Sequence, residues 1–443
     1  MEFLLALWGR VEFAIVILNP SLRLQSDRRK CNTLRMILNI SPYKYGGLKI
    51  ISGNTILTQK NNGILTAVGG CCGLVAFMGI GRFAFTALLP GMMDFYGFEG
   101  AVAGAIGSLN FAGYLTGVML ARKEKPGPRR YYLFVVFMLC SLLATTGMGL
   151  AREIYMLYII RFFAGFSTGM CFVLASSIVL DTLNAIKRPV LSGIFYSGTG
   201  IGIATSGLAA GPLQAIGGSP AGWLGLAAIG VPLAGAAMFA LRPGRNYPPP
   251  LPAAASAASA AQNKAGAKKF KLLVLSYFLE GFGYIIGATF IVAFVQEVTS
   301  SPEIARASWI MTGIAAAVSV PIWKILSERK GYLPMLILAF LMQATGALLP
   351  VLSSTAIAAL GGGLLLGGTF MGITTLSLQY GVLLSGKPSA STVALLSALF
   401  GIGQVIGPMV AGGMGFYIAF VISAVSMLAA AGILIAASFI KEQ

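Results

Sequence analysis

Two long apolar blocks, Ile64–Leu241 and Lys271–Ile440, flank a polar stretch rich in proline, alanine and lysine. Each block is long enough to cross a bilayer about six times, because a bilayer core of about 30 Å needs about 20 apolar residues per helix. The connections within the blocks are too short for a soluble domain. With 57% hydrophobic residues, the pattern predicts an all-α integral membrane protein: twelve transmembrane helices in two pseudo-symmetric six-helix bundles.

The net charge of +18 reflects how the basic residues are distributed between the apolar segments. A nucleic-acid-binding protein would cluster them on one folded face, whereas here they occupy alternate connections. One such connection contains Arg122, Lys123, Lys125, Arg129 and Arg130, while the intervening connections contain only Arg152 and Arg306. Short loops rich in lysine and arginine stay in the cytoplasm. We therefore expect a multi-pass protein of the plasma or inner membrane, with both termini cytoplasmic and no nucleic-acid partner.

The sequence lacks the residue most often used for zinc binding and for base catalysis. The chain has no histidine, and its five cysteines show neither metal-ligand nor redox spacing. Histidine is the commonest zinc ligand and the commonest catalytic base. We expect no metal, no cofactor and no enzymatic activity.

The composition divides the chain into four parts. For the basic tail, residues 1–63, we expect disorder or an over-extended start, with an interfacial amphipathic anchor as the alternative. Residues 64–241 and 271–440 are the two predicted six-helix bundles. Residues 242–270, which contain three consecutive prolines and an alanine/serine run, are a predicted flexible cytoplasmic linker.

The two halves also repeat each other in sequence. Three segments of the first half align with the second at offsets of about 196 to 202 residues: Gly79–Arg82 with Gly281–Tyr284, Gly165 and Gly169 with Gly363 and Gly367, and Gly207–Pro212 with Gly403–Pro408. Two parallel six-helix repeats around a midplane site are typical of transporters.

Several short motifs lie within and between the predicted spans. They are Gly117–Lys123 and its second copy Leu326–Gly331, Arg161–Gly165, the set Gly198, Gly207, Gly211 and Pro212, and the run Gly79–Pro90. Together they resemble the major facilitator superfamily over essentially all of Ile64 to Ile440. The last run resembles the YbfB/YjiJ-type branch, which brings no known substrate.

Glycines at fixed spacing in the fifth span resemble the antiporter motif of this superfamily. They are Gly198, Gly207 and Gly211, followed by Pro212. Small residues allow helices to approach closely in lipid, and proline removes a backbone hydrogen bond and bends the helix. We expect these residues, and their second-half counterparts Gly403, Gly407 and Pro408, to be helix-packing positions.

Three ionisable residues, Arg82, Arg161 and Glu280, lie well inside predicted spans. Such residues are costly in lipid and usually functional. Glu280 is about ten residues into its span and so roughly 15 Å deep. In the superfamily, spans 1, 4, 7 and 10 line the central cavity, so the resemblance places these three and Tyr284 around a substrate and proton-coupling site. Alternatively, Arg161 snorkels outward, or Glu280 forms a structural ion pair with an arginine.

The resemblance also implies a cytoplasmic gate at the loop motifs. Asp181 is a candidate partner for Arg122 or Lys123, and Glu328 with Arg329 is the second-half counterpart.

Taken together, the sequence predicts a monomeric secondary transporter of a small solute. We expect a proton-coupled efflux antiporter that works by alternating access. A proton-coupled uptake symporter and a non-transporting receptor or scaffold are the alternatives.

The charge asymmetry makes a testable prediction about topology. Single cysteines at Lys125, Lys187, Lys264 and Lys387 should react with impermeant maleimide only from the cytoplasmic side, and those at Gly217 and Ser353 only from outside, because basic loops are retained in the cytoplasm. Labelling of intact and opened cells measures this, in a background without the native cysteines. External labelling at Lys264 would contradict the twelve-span topology.

Overall fold

The computed structural model describes residues 53–243, 264–385 and 389–440. The α-helices are α1 Gly53–Leu74, α2 Ala84–Tyr96, α3 Gly100–Ala121, α4 Pro128–Leu150, α5 Ile154–Ala185, α6 Ser192–Ala240, α7 Lys264–Thr299, α8 Pro302–Lys330, α9 Tyr332–Leu352, α10 Ala356–Ser385, α11 Ser389–Gly412 and α12 Phe416–Ser438. A π-helix, Val75–Phe83, joins α1 to α2, and a 3₁₀ turn, Pro189–Leu191, precedes α6. The predictions for residues 1–52, for linker residues 244–263 and for Lys387 lie outside the described residues.

The prediction of an all-helical membrane protein is confirmed. The described residues contain no β-strand, and eleven of their helices are long and apolar enough to cross a membrane. Of the eleven, the span Gly63–Tyr96 and the span formed by α7 are the most deeply buried. In their most apolar 18-residue segments, 72% and 83% of the residues are buried. These two helices therefore lie at the centre of the protein.

The segment Pro189–Ala240 counts as one of the eleven spans, although the sequence predicts two spans there. Inside α6, Gly217 and Gly218 have non-helical backbone angles, and Gly218 has φ +66° and ψ −156°. Residues other than glycine rarely adopt this conformation. The break falls between the predicted fifth span, Val190–Leu213, and the predicted sixth span, Pro220–Leu241.

The π-helix Val75–Phe83 is completely buried. π-helices are rare and frequently occur at functional sites. Helix α5 supplies donors to its carbonyl groups: Thr168 Oγ1 donates to Phe77 O at 3.2 Å, and the Arg161 guanidinium donates to the carbonyls of Gly81 and Arg82 at 3.5 and 3.4 Å. Side chains of a neighbouring helix therefore stabilise the irregular backbone, as required where water is absent.

Glycines bring the first half of the chain into backbone contact with the second at two helix pairs. Between α6 and α8, a Cβ atom on Gly200 would collide with backbone atoms of Gly313 and Ala317. Between α3 and α11, a Cβ on Gly104 would collide with the carbonyl of Pro408. Such contacts leave no space for a side chain and depend on small residues.

Gly200→Ala should therefore separate α6 from α8 and destabilise the protein by about 1–3 kcal/mol, as overpacking does elsewhere. Gly193→Ala is the matched control, because Gly193 lies in the same helix and its added Cβ would meet nothing within 4 Å. Thermal unfolding of both variants in detergent measures the effect. Equal melting temperatures for the two variants would show that the contact between α6 and α8 is not tight.

Candidate functional site

Arg82 is hydrogen-bonded across the two halves of the chain. Its Nη2 donates to Gln404 Oε1 at 3.2 Å, and Gln404 Nε2 donates to the Tyr284 hydroxyl at 3.3 Å. The three side chains are buried, with at most 4% of each exposed. Arg82 comes from the π-helix, Tyr284 from α7 and Gln404 from α11, so one buried network links both halves.

Aromatic rings of the first half surround the Arg82 guanidinium. Its Cζ atom lies 3.9 Å from the ring centroid of Tyr114, 4.8 Å from that of Phe111 and 5.4 Å from that of Phe83. A cation this close to ring faces gains a favourable electrostatic interaction. The rings stabilise the charge without neutralising it.

Arg161 is 1% exposed, so it does not snorkel to the end of its helix. Besides its bonds to the carbonyls of Gly81 and Arg82, its Cζ lies 4.7 Å from the centroid of Phe85. The carbonyl of Arg161 accepts a bond from Asn110 Nδ2 at 3.0 Å. Arg161 thus holds the π-helix against α5 and lies next to Arg82.

Glu280 belongs to a second buried network, within the second half of the chain. Gln343 Nε2 donates to both of its carboxylate oxygens, at 3.1 and 3.3 Å, and Thr369 Oγ1 donates to Gln343 Oε1 at 2.8 Å. All three side chains are at most 1% exposed. The network joins α7, α9 and α10.

The structure does not pair Glu280 with either arginine. Among the described residues, the ion pairs involve other groups, and Arg82 and Arg161 donate to an amide and to backbone carbonyls. The two networks are nevertheless connected through α7, because Glu280 and Tyr284 lie one turn apart on that helix. The structural ion pair considered from the sequence is therefore not present.

The predicted gate residues lie where the basic connections meet the helices, which we call the basic end. Asp181 Oδ2 accepts a bond from Arg130 Nη1 at 3.0 Å, between α5 and α4. Glu328 and Arg329 are exposed near the end of α8 and form no ion pair with another described residue. The predicted pairing of Asp181 with Arg122 or Lys123 stays a prediction.

The glycines of the predicted packing motifs lie against other helices. An added Cβ on Gly198 would collide with the carbonyl of Cys71 in α1, and one on Gly211 would lie 2.6 Å from Arg306 Nη1 in α8. Gly207 also faces α8. In the second half, Gly403 and Gly407 face the carbonyls of Phe278 and Phe282 in α7, and Pro408 contacts α3.

A cavity of about 160 Å³ lies between α2, α6, α7 and α8, at the end opposite the basic end. Its polar lining residues are Asp94, Gln214, Gln296 and Arg306. Among the described residues, no group of three or more histidine, cysteine, aspartate or glutamate side chains could hold a metal ion.

Gln343, Thr369 and Gln404 are the site residues that the sequence analysis missed. Each is buried and uncharged, within an otherwise apolar helix. A glutamine inside a lipid-spanning segment is itself a sign of a polar contact between helices. Uncharged polar residues at depth are less costly than charged ones and therefore less conspicuous in the sequence.

A protein-family model described as "Uncharacterised MFS-type transporter YbfB" matches residues 74–441. The chain belongs to this family. It is therefore a multi-pass membrane transporter of the major facilitator superfamily, with a small-molecule substrate. No protein with a curated description matches it significantly.

Solved structures share the fold at low sequence identity. The nucleoside transporter NupG matches with a TM-score of 0.62 and 14% identity, over 87% of this chain and all of that one. A bacterial homologue of the human lysosomal transporter Spinster, inward-facing and unoccupied, matches with a TM-score of 0.61 and 18% identity, over 88% of this chain and 96% of that one. At such identities the likeness shows the fold alone.

Proposed function

We propose that this transporter is a proton-coupled antiporter that exports a small solute by alternating access, with Glu280 as the proton-binding carboxylate. The main support is the surroundings of Glu280. Its carboxylate is fully buried, and its bonds come from the neutral amide of Gln343. Of the described residues, Glu280 has the one buried carboxylate.

A buried carboxylate paired with arginine stays ionised, whereas one supported by a neutral amide readily changes its protonation state as the site dries or hydrates. Carboxylates in general favour the protonated form where water is excluded and the ionised form where water or a cation approaches. This sensitivity is what a coupling group needs.

Helix α7 supplies the connection between proton and substrate in this proposal. Glu280 is bound to Gln343 of α9 and through it to Thr369 of α10. Tyr284, one turn along α7, is bound through Gln404 to Arg82. Movement of α7 against the first half therefore affects both networks. Alternating access is a rocking of one half against the other around such a site.

We also propose the complete topology of twelve spans in two six-helix bundles, as a monomer in the cell membrane with cytoplasmic termini. The break at Gly217 and Gly218 supports it, because Pro189–Ala240 has 52 residues, enough for two crossings at about 20 residues each. The positions of the basic residues support the orientation.

The basic end is the cytoplasmic gate in this proposal. Asp181 is bound to Arg130 within the first half, and its pairing with Arg122 or Lys123 would hold only in the outward-open state and break as the halves rock. Glu328 and Arg329 would form the second-half counterpart. Such exchange of ion pairs is a known way of stabilising alternate states.

Glu280→Gln should abolish proton-driven accumulation, because an amide cannot release a proton, while solute exchange without a gradient continues. Purified protein in liposomes is tested with a panel of labelled sugars, amino acids, nucleosides, organic anions and organic cations, under pH gradients of both signs. Glu297→Gln is the matched control, since Glu297 lies on the same helix but is exposed.

For the solute that the wild-type protein moves, the control variant Glu297→Gln should keep full coupling between proton and solute movement. Unchanged gradient-driven accumulation in Glu280→Gln would overturn the assignment of Glu280. Accumulation in the direction of proton flow would replace antiport by symport.

Gly207→Leu should uncouple proton and solute movement or prevent folding, because a Cβ on Gly207 already lies 2.9 Å from Ile310 Cγ1 of α8 and larger side chains force helices apart. Gly207→Ala needs only a small shift and should be mild. The ratio of protons to solute moved, read with an internal pH dye, measures this. Intact coupled uptake in Gly207→Leu would contradict the export proposal.

A further inference from the structure

The positive charge around Arg82 and Arg161 has no counter-ion among the described residues. Both guanidiniums are buried, and the Arg161 guanidinium donates to the backbone carbonyl of Arg82, so the two belong to one region. The buried carboxylate of Glu280 is bound to Gln343 instead. A buried charge without a partner is strongly unfavourable, so this region favours an anion.

Of the two arginines, Arg82 is the one suited to bind a ligand. Arg161 donates from both terminal nitrogens to backbone carbonyls. Arg82 donates from Nη2 to the neutral Gln404 Oε1, and the Nε atoms of both arginines have no hydrogen-bond partner. A carboxylate can accept two parallel N–H···O bonds from a guanidinium, whereas Gln404 accepts one, so a carboxylate would displace the Gln404 oxygen.

Aromatic rings lie on both sides of this charge. Tyr114 and Phe111 cover Arg82 from the first half. From the second half, the Tyr284 ring lies nearly parallel to those of Phe370 and Phe400, with interplanar angles of 5° and 12° and centroid separations of 5.3 and 5.8 Å. Rings stacked in this way already contact one another, so they favour a flat apolar group placed beside them.

We propose that Arg82, Gln404 and Tyr284 bind the anionic head of the substrate, and that the substrate is an organic anion with a flat, apolar body. The inference rests on the proposed transport function only in calling this ligand the substrate. Binding at Arg82 does not require that Glu280 couples protons.

The test is calorimetric titration of the purified full-length protein in detergent, with no membrane or gradient present. Benzoate is the probe, and benzamide and benzylammonium are its neutral and cationic counterparts of the same shape. Chloride tests whether an inorganic anion suffices. Benzoate should bind at least about tenfold more tightly than each of the other three, as expected for a hydrogen bond to a charged group.

Two variants locate the binding. Arg82→Gln should weaken benzoate at least about tenfold, whereas Arg152→Gln, at an exposed site outside the bundle, should leave it unchanged. Gln404→Glu places a carboxylate where the amide oxygen now accepts from Arg82. This variant should abolish benzoate binding and raise the melting temperature, because the charge of Arg82 is then paired within the protein.

The proposal is overturned if benzoate binds no better than benzamide or chloride, or if Arg82→Gln binds benzoate as well as the wild type does. A lower melting temperature in Gln404→Glu would show that the site does not favour an anion. Benzoate binding in detergent is measured without a proton gradient, so a failure of proton coupling leaves this result intact and the two proposals fail separately.

Discussion

Close backbone contact between the two halves of the chain is the constraint on which the buried site depends. Helices in lipid gain no hydrophobic energy from association, so they rely on close packing and polar contacts. Gly200 lies against α8, and Gly104 lies against α11. This closeness allows Thr86 Oγ1 in α2 to donate to the carbonyl of Ala288 in α7 at 2.7 Å, and Arg82 to reach Gln404. Without it the arginine would have no polar partner in the second half.

The sequence was sufficient to predict an all-helical membrane protein and to single out the buried charged residues of the candidate site. Hydropathy and segment length determine which stretches can span a membrane, and the rarity of charge at depth makes Arg82, Arg161 and Glu280 conspicuous. The repeat alignment also pairs Arg82 with Tyr284, and in the structure both residues form a hydrogen bond with Gln404.

The partners of these charges could not be predicted in the same way. Helices that are apolar on all sides have no pattern showing which face meets which neighbour, so Glu280 could not be assigned to Gln343 rather than to an arginine. The π-helix adds to the difficulty, because counting by 3.6 residues per turn fails across it.

The π-helix also makes the internal repeat unequal at its most important position. Residues 75–83 turn more slowly about the helix axis than an α-helix does, whereas α7 remains α-helical through the matching segment. Arg82 and Tyr284, which are equivalent in the repeat alignment and in depth, consequently point in different directions around their helix axes. A molecule held between the halves would meet a guanidinium on one side and a phenol on the other, in directions that no two-fold axis relates. At the proposed site, the two ends of an asymmetric solute would therefore meet different chemical groups.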